Sequence, residues 1–192
     1  MFRAFLDTCV LVPSLQRDFL LQLATEGCFA PLWGTGVLEE LGYVLPVLYT
    51  RRGLDDAVAR SRSARLISQM ESAFPGATIA APKASYPYAL ADPDDAHIAH
   101  GAIFGGADAI VTDDRRAGLS ANAALMNAAI EVLKAPDFVA NTVAAHPQQA
   151  RDSLLVMSSR FESPPMSPLR ILQTLRDQYG FAEAFELLAD EL

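Results

Sequence analysis

The sequence predicts an α/β fold: a doubly wound parallel sheet with helices on both faces, followed by a helical C-terminal extension. Three observations predict it. Short apolar runs alternate with helical stripes from residue 1 to residue 135, and such alternation demands crossover helices and parallel strands. Past Pro136 no strand signal appears, and Pro136, Pro147 and Pro168 each stand where a helix takes proline in its first turn. Acidic residues fall just after the apolar runs, at the strand ends where open parallel sheets bind ligands. The expected division is a catalytic domain over 1–135 and an extension over 136–192.

The elements follow in order. Phe2 to Leu6 is a short apolar run closed by Asp7-Thr8, a strand and then a helix start. Leu15, Phe19, Leu20 and Leu23 lie on one helical stripe over residues 15–24. Cys28 to Trp33 reads as a second strand, and Thr35-Gly36 opens a helix carrying Val37, Leu38, Leu41, Val44, Leu45 and Leu48, with Pro46 expected to interrupt it. Leu54, Val58, Leu66, Met70 and Phe74 recur at multiples of four, with Arg60, Arg62 and Arg65 between them, until Pro75-Gly76 ends the helix. Ala77 to Ala81 is a weak strand and Tyr86 to Ala91 a loop. Asp92-Pro93-Asp94-Asp95 starts a helix reaching Gly105-Gly106. Ala109 to Thr112 is a buried strand ending at Asp113-Asp114, Ala121 to Ala129 is helical, and Ile130 to Leu133 is the last strand.

Composition narrows the class. A chain of 192 residues, 51% hydrophobic, buries a core without disulfides and is not disordered. No apolar run approaches the ~20 residues of a membrane span. Asp7 comes too early for a signal peptide, so a cytoplasmic location is expected. Cys9 and Cys28 lack ligand spacing and read as free thiols. Fifteen basic against 23 acidic residues, a net charge of −8, argue against a general nucleic-acid coat. They do not exclude a nuclease, whose site collects acid around divalent cations.

Asp7 ends the first strand, Asp113 and Asp114 end the strand before them, and Asp95 lies in the first turn of the intervening helix. Glu39 and Glu40 follow the second strand. Carboxylates gathered at one sheet edge repel unless protonated or bridged by a cation. Oxygen-only ligands favour magnesium or manganese over zinc, and such a centre suits phosphodiester hydrolysis. Each acid alone has a plainer reading. Asp92 and Asp95 suit a helix start, Asp7 a cap, Asp113-Asp114 a turn, and Glu39-Glu40 a solvated helix face. His97 and His100 read as packing or surface residues.

Together these residues resemble the PIN-domain nucleases, in particular the VapC-like toxins of type II toxin–antitoxin modules. Phe5-Leu6-Asp7-Thr8-Cys9-Val10-Leu11 resembles the first motif of that family, and Val37-Leu38-Glu39-Glu40-Leu41 the second, with its acid at Glu40. Asp92 to Ala99 resembles the third, with its acid at Asp95. Ala107 to Asp114 resembles the fourth, which lands on Asp114. The tail from Glu162 through Ser167-Pro168 is similar to the end of one PIN subfamily. The resemblance implies a magnesium- or manganese-dependent endoribonuclease with Asp7, Glu40, Asp95 and Asp114 as metal ligands and catalytic residues. It also implies homodimers and a small antitoxin partner.

Two positions depart from the pattern. Cys9 replaces an Asn or Ser frequent two residues after the first Asp, and Asp113-Asp114 offers two acids for one place. Arg51, Arg52, Arg115 and Arg116 are candidate holders of an RNA backbone. The alternative is a nonenzymatic PIN-like module binding protein or RNA. A haloacid-type phosphatase is set aside, because its second Asp would stand where Cys9 does. The Leu41 to Tyr49 run is nearly free of polar residues, which leaves core or a docking face.

Overall fold

The computed structural model describes residues 1–192. Strand β1 (Arg3–Leu6) is buried from Ala4 onward on both faces, as a strand covered by helices on either side must be. It pairs with β2 (Ala30–Gly34) and β4 (Ala109–Val111), with Phe5 opposite Leu32 on one side and Ile110 on the other. Strand β3 (Thr78–Ile79) flanks β2, and β5 (Glu131–Leu133) flanks β4. All pairings are parallel, in the order β3-β2-β1-β4-β5. The chain winds outward from β1 to β3, then crosses back to start β4 on the other side. The sheet therefore reverses its winding between β1 and β4, and a crevice opens there at the strands' carboxyl ends.

Helix α1 (Thr8–Leu11) follows β1 directly, and α2 (Ser14–Thr25) runs on to β2. Helices α3 (Thr35–Arg51) and α4 (Asp56–Ala73) pack against each other before β3, and α5 (Ala96–Gly105) leads into β4. Helix α4 opens on an Asp55 cap whose carboxylate accepts the Ala57 and Val58 amides. Short α6 (Ala123–Asn127) joins β4 to β5. The C-terminal part holds α7 (Ala135–Ala145), α8 (Pro147–Ser159), α9 (Pro168–Tyr179) and α10 (Ala182–Leu188). Pro136, Pro147 and Pro168 all sit in first turns, and Ser167 caps α9 through the Arg170 amide. No helix is long and apolar enough to cross a membrane.

The C-terminal helices share one hydrophobic core with the sheet. Phe138 of α7 meets Phe29 edge-on at 4.9 Å, and Phe181 lies 6.4 Å from Phe19 of α2. Pro46 does not interrupt α3, which runs unbroken to Arg51. Proline removes one helical hydrogen bond, but Leu41, Leu45 and Tyr49 on the same side are buried, and that packing outweighs the loss. The Leu41 to Tyr49 run divides between the two readings open to it: its other side leaves Tyr43 77% and Val47 42% exposed.

Helix α5 approaches the sheet closely at Gly101. A Cβ there would lie 2.6 Å from the Phe5 ring, and Phe5 is fully buried and cannot yield. Gly101→Ala is therefore expected to lower the unfolding free energy by about 1–3 kcal/mol. Gly42→Ala, where the nearest atom to the new Cβ on α3 is an ordinary 3.6 Å away, should raise it by about 0.5–1 kcal/mol. Urea unfolding of the two variants checks both signs.

Candidate functional site

The reversal of the sheet brings the end of β1 against the end of β4. The Asp7 amide continues the pairing by donating to the Val111 carbonyl at 3.1 Å, which fixes the backbone of the first acid. Asp7 is only 4% exposed. Its Oδ2 accepts the Thr112 hydroxyl at 2.6 Å and the Cys9 thiol at 3.1 Å. Burial pushes the Asp7 carboxyl above its ordinary range, against the opposing pull of these two donors. The Asp7 side chain does not cap α1, so the plainer reading of that acid fails.

Cys9 supplies polar contacts rather than mere packing. Its sulfur donates to Asp7 and accepts the Asp113 amide at 3.2 Å. Burial and the Asp7 charge push the thiol up to about 12, so it stays protonated at neutral pH and remains a donor. A Ser or Asn would offer the same kind of contact at this place.

The third motif divides its acids by role. Asp92 caps the 3-10 turn over Pro93–Asp95 by accepting the Asp94 amide at 3.0 Å. Asp95 stands at the start of α5 with no capping hydrogen bond of its own. Burial and the charges of Asp7, Asp92, Asp114 and Glu40 push its carboxyl up to about 6. These groups therefore share one electrostatic neighbourhood, although they come from four separate segments.

Of the two acids in the fourth motif, Asp113 turns away. Its Oδ1 accepts the Ala135 amide at 3.2 Å, at the first turn of α7. Asp114 lies close enough for its charge to act on Asp95, while its Oδ1 accepts the Arg116 amide at 2.7 Å. In the second motif Glu39 is exposed and Glu40 half-buried. Glu40 accepts the Thr8 hydroxyl at 2.6 Å and the Lys83 ammonium at 2.8 Å. Burial pushes its carboxyl up, but these two donors outweigh burial and hold it below its ordinary range.

The sequence reading does not single out Lys83. It is one of two lysines in the chain and follows β3, so the strand-end rule that selects Asp7 and Asp114 also points to it. Thr112 is passed over as well, standing one residue before the acids that draw attention. His97 is buried beneath Gly36, its Nδ1 donating to the Asp94 carbonyl at 2.9 Å. His100 stacks on Tyr86 at 4.0 Å. Both are packing residues. Of the four candidate arginines, Arg51 and Arg52 line different clefts, and Arg116 reaches back toward Asp114 at 3.9 Å. As they stand, no three acid, histidine or cysteine side chains close into a ready ligand group, and Glu40 is held by Lys83.

An α/β sheet with acids gathered at its winding reversal places a candidate site where open parallel sheets receive their ligands. The chain belongs to the PIN domain family, whose model matches residues 3–116. PIN domains are typically nucleases and generally use divalent metals. No curated protein and no solved structure shows significant similarity to the chain.

A carboxyl raised by burial and by neighbouring charges penalises the fold when ionised. Asp95 takes up its proton more readily folded than unfolded, so its ionised form costs stability as pH rises from the unfolded value of 3.8 through about 6. Without divalent cations, Asp95→Asn should therefore melt above the wild type at pH 7 and higher. The difference should shrink as pH falls below 6, where the wild type is itself protonated. Thermal melts of both proteins across that range, in a chelator, check the sign.

Proposed function

We propose that the chain is a magnesium- or manganese-dependent endoribonuclease, the toxin of a toxin–antitoxin pair. The observation that carries this reading is the convergence of Asp7, Glu40, Asp95 and Asp114, from four segments, at the sheet's winding reversal in a PIN domain, where burial and the neighbouring charges raise Asp95. Its donors are all oxygen, and the excess negative charge suits a hard divalent cation. Asp7, Asp95 and Asp114 would hold it, and Glu40 would act through water. Bound there, such a cation supplies Lewis acidity that makes water a nucleophile near neutral pH and offsets charge building on phosphate.

The chain's own residues prepare that site. The Thr112 and Cys9 donors both hold Oδ2 of the Asp7 carboxylate and so fix its orientation. Lys83 holds Glu40 and places a positive charge at the mouth, where a scissile phosphate would enter. Glu40, kept ionised by that pair, is able to orient a water. The proposal takes 1–135 as the catalytic domain and 136–192 as its extension. The exposed Tyr43 and Val47 on α3 support a homodimer or antitoxin contact on that face.

Asp7→Asn and Asp95→Asn, each preserving side-chain volume, should reduce magnesium-dependent RNA cleavage by at least about a hundredfold while keeping the wild-type circular dichroism. Wild-type rates in either variant would displace the centre. A labelled RNA incubated with each protein provides the measurement.

Manganese should raise the melting temperature of the wild type, by about 2.7 kcal/mol of stabilisation at a hundredfold excess over its dissociation constant. The gain should fade on acidification through pH 6 as Asp95 takes up a proton. The absence of any shift near neutrality would favour the nonenzymatic binding module, a reading that the Lys83–Glu40 pair supports by already satisfying one acid.

A further inference from the structure

A cleft of about 1220 Å³ lies away from the acids. Its walls are the first turns of α2, the end of α3 with the start of α4, and residues between Phe161 and Tyr179 of the C-terminal part. The last wall lies outside the segment matched by the PIN family, so the cleft exists only where the family domain meets the extension. In a chain of net charge −8, four arginines line it against one acid: Arg17, Arg52, Arg62 and Arg65, with Asp18.

Three of these arginines are exposed at the cleft and free to meet a ligand. Arg62 and Arg65 sit three residues apart and share one face of α4. The Arg62 guanidinium lies 5.0 Å over the Tyr49 ring, which holds the fork against the wall. Arg17 forms part of the floor at 5% exposure. It donates to the Leu11 carbonyl at 3.0 Å and pairs with Asp18 at 3.3 Å, yet its Nε is buried without a partner. Arg17 thus adds positive charge beneath the cleft, while the three exposed arginines supply the forks that a ligand can reach.

The geometry points to this cleft as a second nucleic-acid site, which takes the phosphate backbone of single-stranded RNA leading to the acidic edge. The inference rests on the nuclease reading and adds the path of the substrate. Tyr49 and Glu40 lie nine residues apart on α3, about 13.5 Å along its axis, a reach of a few nucleotides of one strand. On the α2 side, the Leu11 carbonyl that receives Arg17 belongs to α1, the short helix that begins next to Asp7. The volume exceeds the roughly 300–1,000 Å³ of small-molecule pockets, as a polymer segment requires. Arginine forks suit phosphate oxygens, and Tyr179 adds an aromatic surface at the far wall. The extension then has a function of its own: it completes the groove that holds the substrate.

The test uses the full chain and a short fluorescent single-stranded RNA in chelator, so that binding is read without cleavage. Anisotropy titrations from about 50 to 200 mM salt should give a falling affinity for the wild type. Arg52→Gln/Arg65→Gln should weaken binding about tenfold at the low-salt end and flatten the salt slope by about 1.4, roughly 0.7 for each phosphate no longer neutralised. Arg60→Gln/Arg151→Gln removes the same charge away from the cleft, from residues paired with Asp56 and Asp152, and should bind as the wild type does. Equal weakening in both variants, or none in the first, overturns the site. So does a cleft variant that keeps RNA affinity but loses binding to polyglutamate, which would assign the cleft to an acidic protein segment. Cleavage in magnesium is scored separately. Cleft binding without cleavage leaves this site standing and removes the nuclease reading, whereas cleavage with an unchanged cleft variant does the reverse.

Discussion

The shortest side-chain hydrogen bond between the ends of β1 and β4 closes the base of the crevice on which the site depends. The Thr112 hydroxyl, at the end of β4, donates to the carboxylate that ends β1, and so joins the two strands between which the sheet changes its direction of winding. Parallel strands end in unpaired backbone groups, and the crevice between diverging connections would otherwise open to water. Here it is shut at its base by a buried acid and a threonine, with the Cys9 thiol as a second donor. The cost is a carboxylate held out of solvent, and that cost is also its use. A negative charge that water does not screen interacts more strongly with anything positive brought beside it.

The remaining charge is arranged around that acid with little cancellation. Lys83 pairs directly with Glu40 and acts on Asp95 only at longer range, Arg116 reaches Asp114 at 3.9 Å, and Asp95 stands without a capping hydrogen bond on its side chain. A site evolved purely for stability would pair these groups or replace them with apolar residues of similar volume. The acids persist at the one edge where a parallel sheet receives ligands, while the arginines collect in the cleft between the α3–α4 pair and the C-terminal helices. The overall charge of −8 averages over these two regions of opposite sign and describes neither.

Much of the fold was legible because apolar periodicity carries it. The five strands and the helices between them fell where alternation placed them, and the proline-started helices of the extension followed from local backbone chemistry. Pro46 misled because local propensity was read without the buried Leu45 and Tyr49 that hold α3 straight. For the site, position at strand ends selected the acids. The choice of Glu40 over Glu39 came from the family resemblance, and the structure leaves Glu39 exposed and Glu40 half-buried. The choice between Asp113 and Asp114 was not legible, because it depends on where α7 begins in space. Lys83 and Arg17 escaped for a related reason: the Lys83 ion pair and the Arg17 floor position join residues far apart in the chain.

Asp113 and Asp114 differ by one peptide unit and serve opposite neighbours. The first holds the leading amide of α7, and the second acts on Asp95. The two carboxylates therefore serve the α7 terminus and the acidic edge from adjacent positions of one short segment. The C-terminal helices begin on the first of these contacts, the Ala135 amide resting on Asp113 at 3.2 Å. The extension and the acidic edge thus meet at consecutive residues of the fourth motif, and a change that shortens or lengthens that segment displaces one contact or the other.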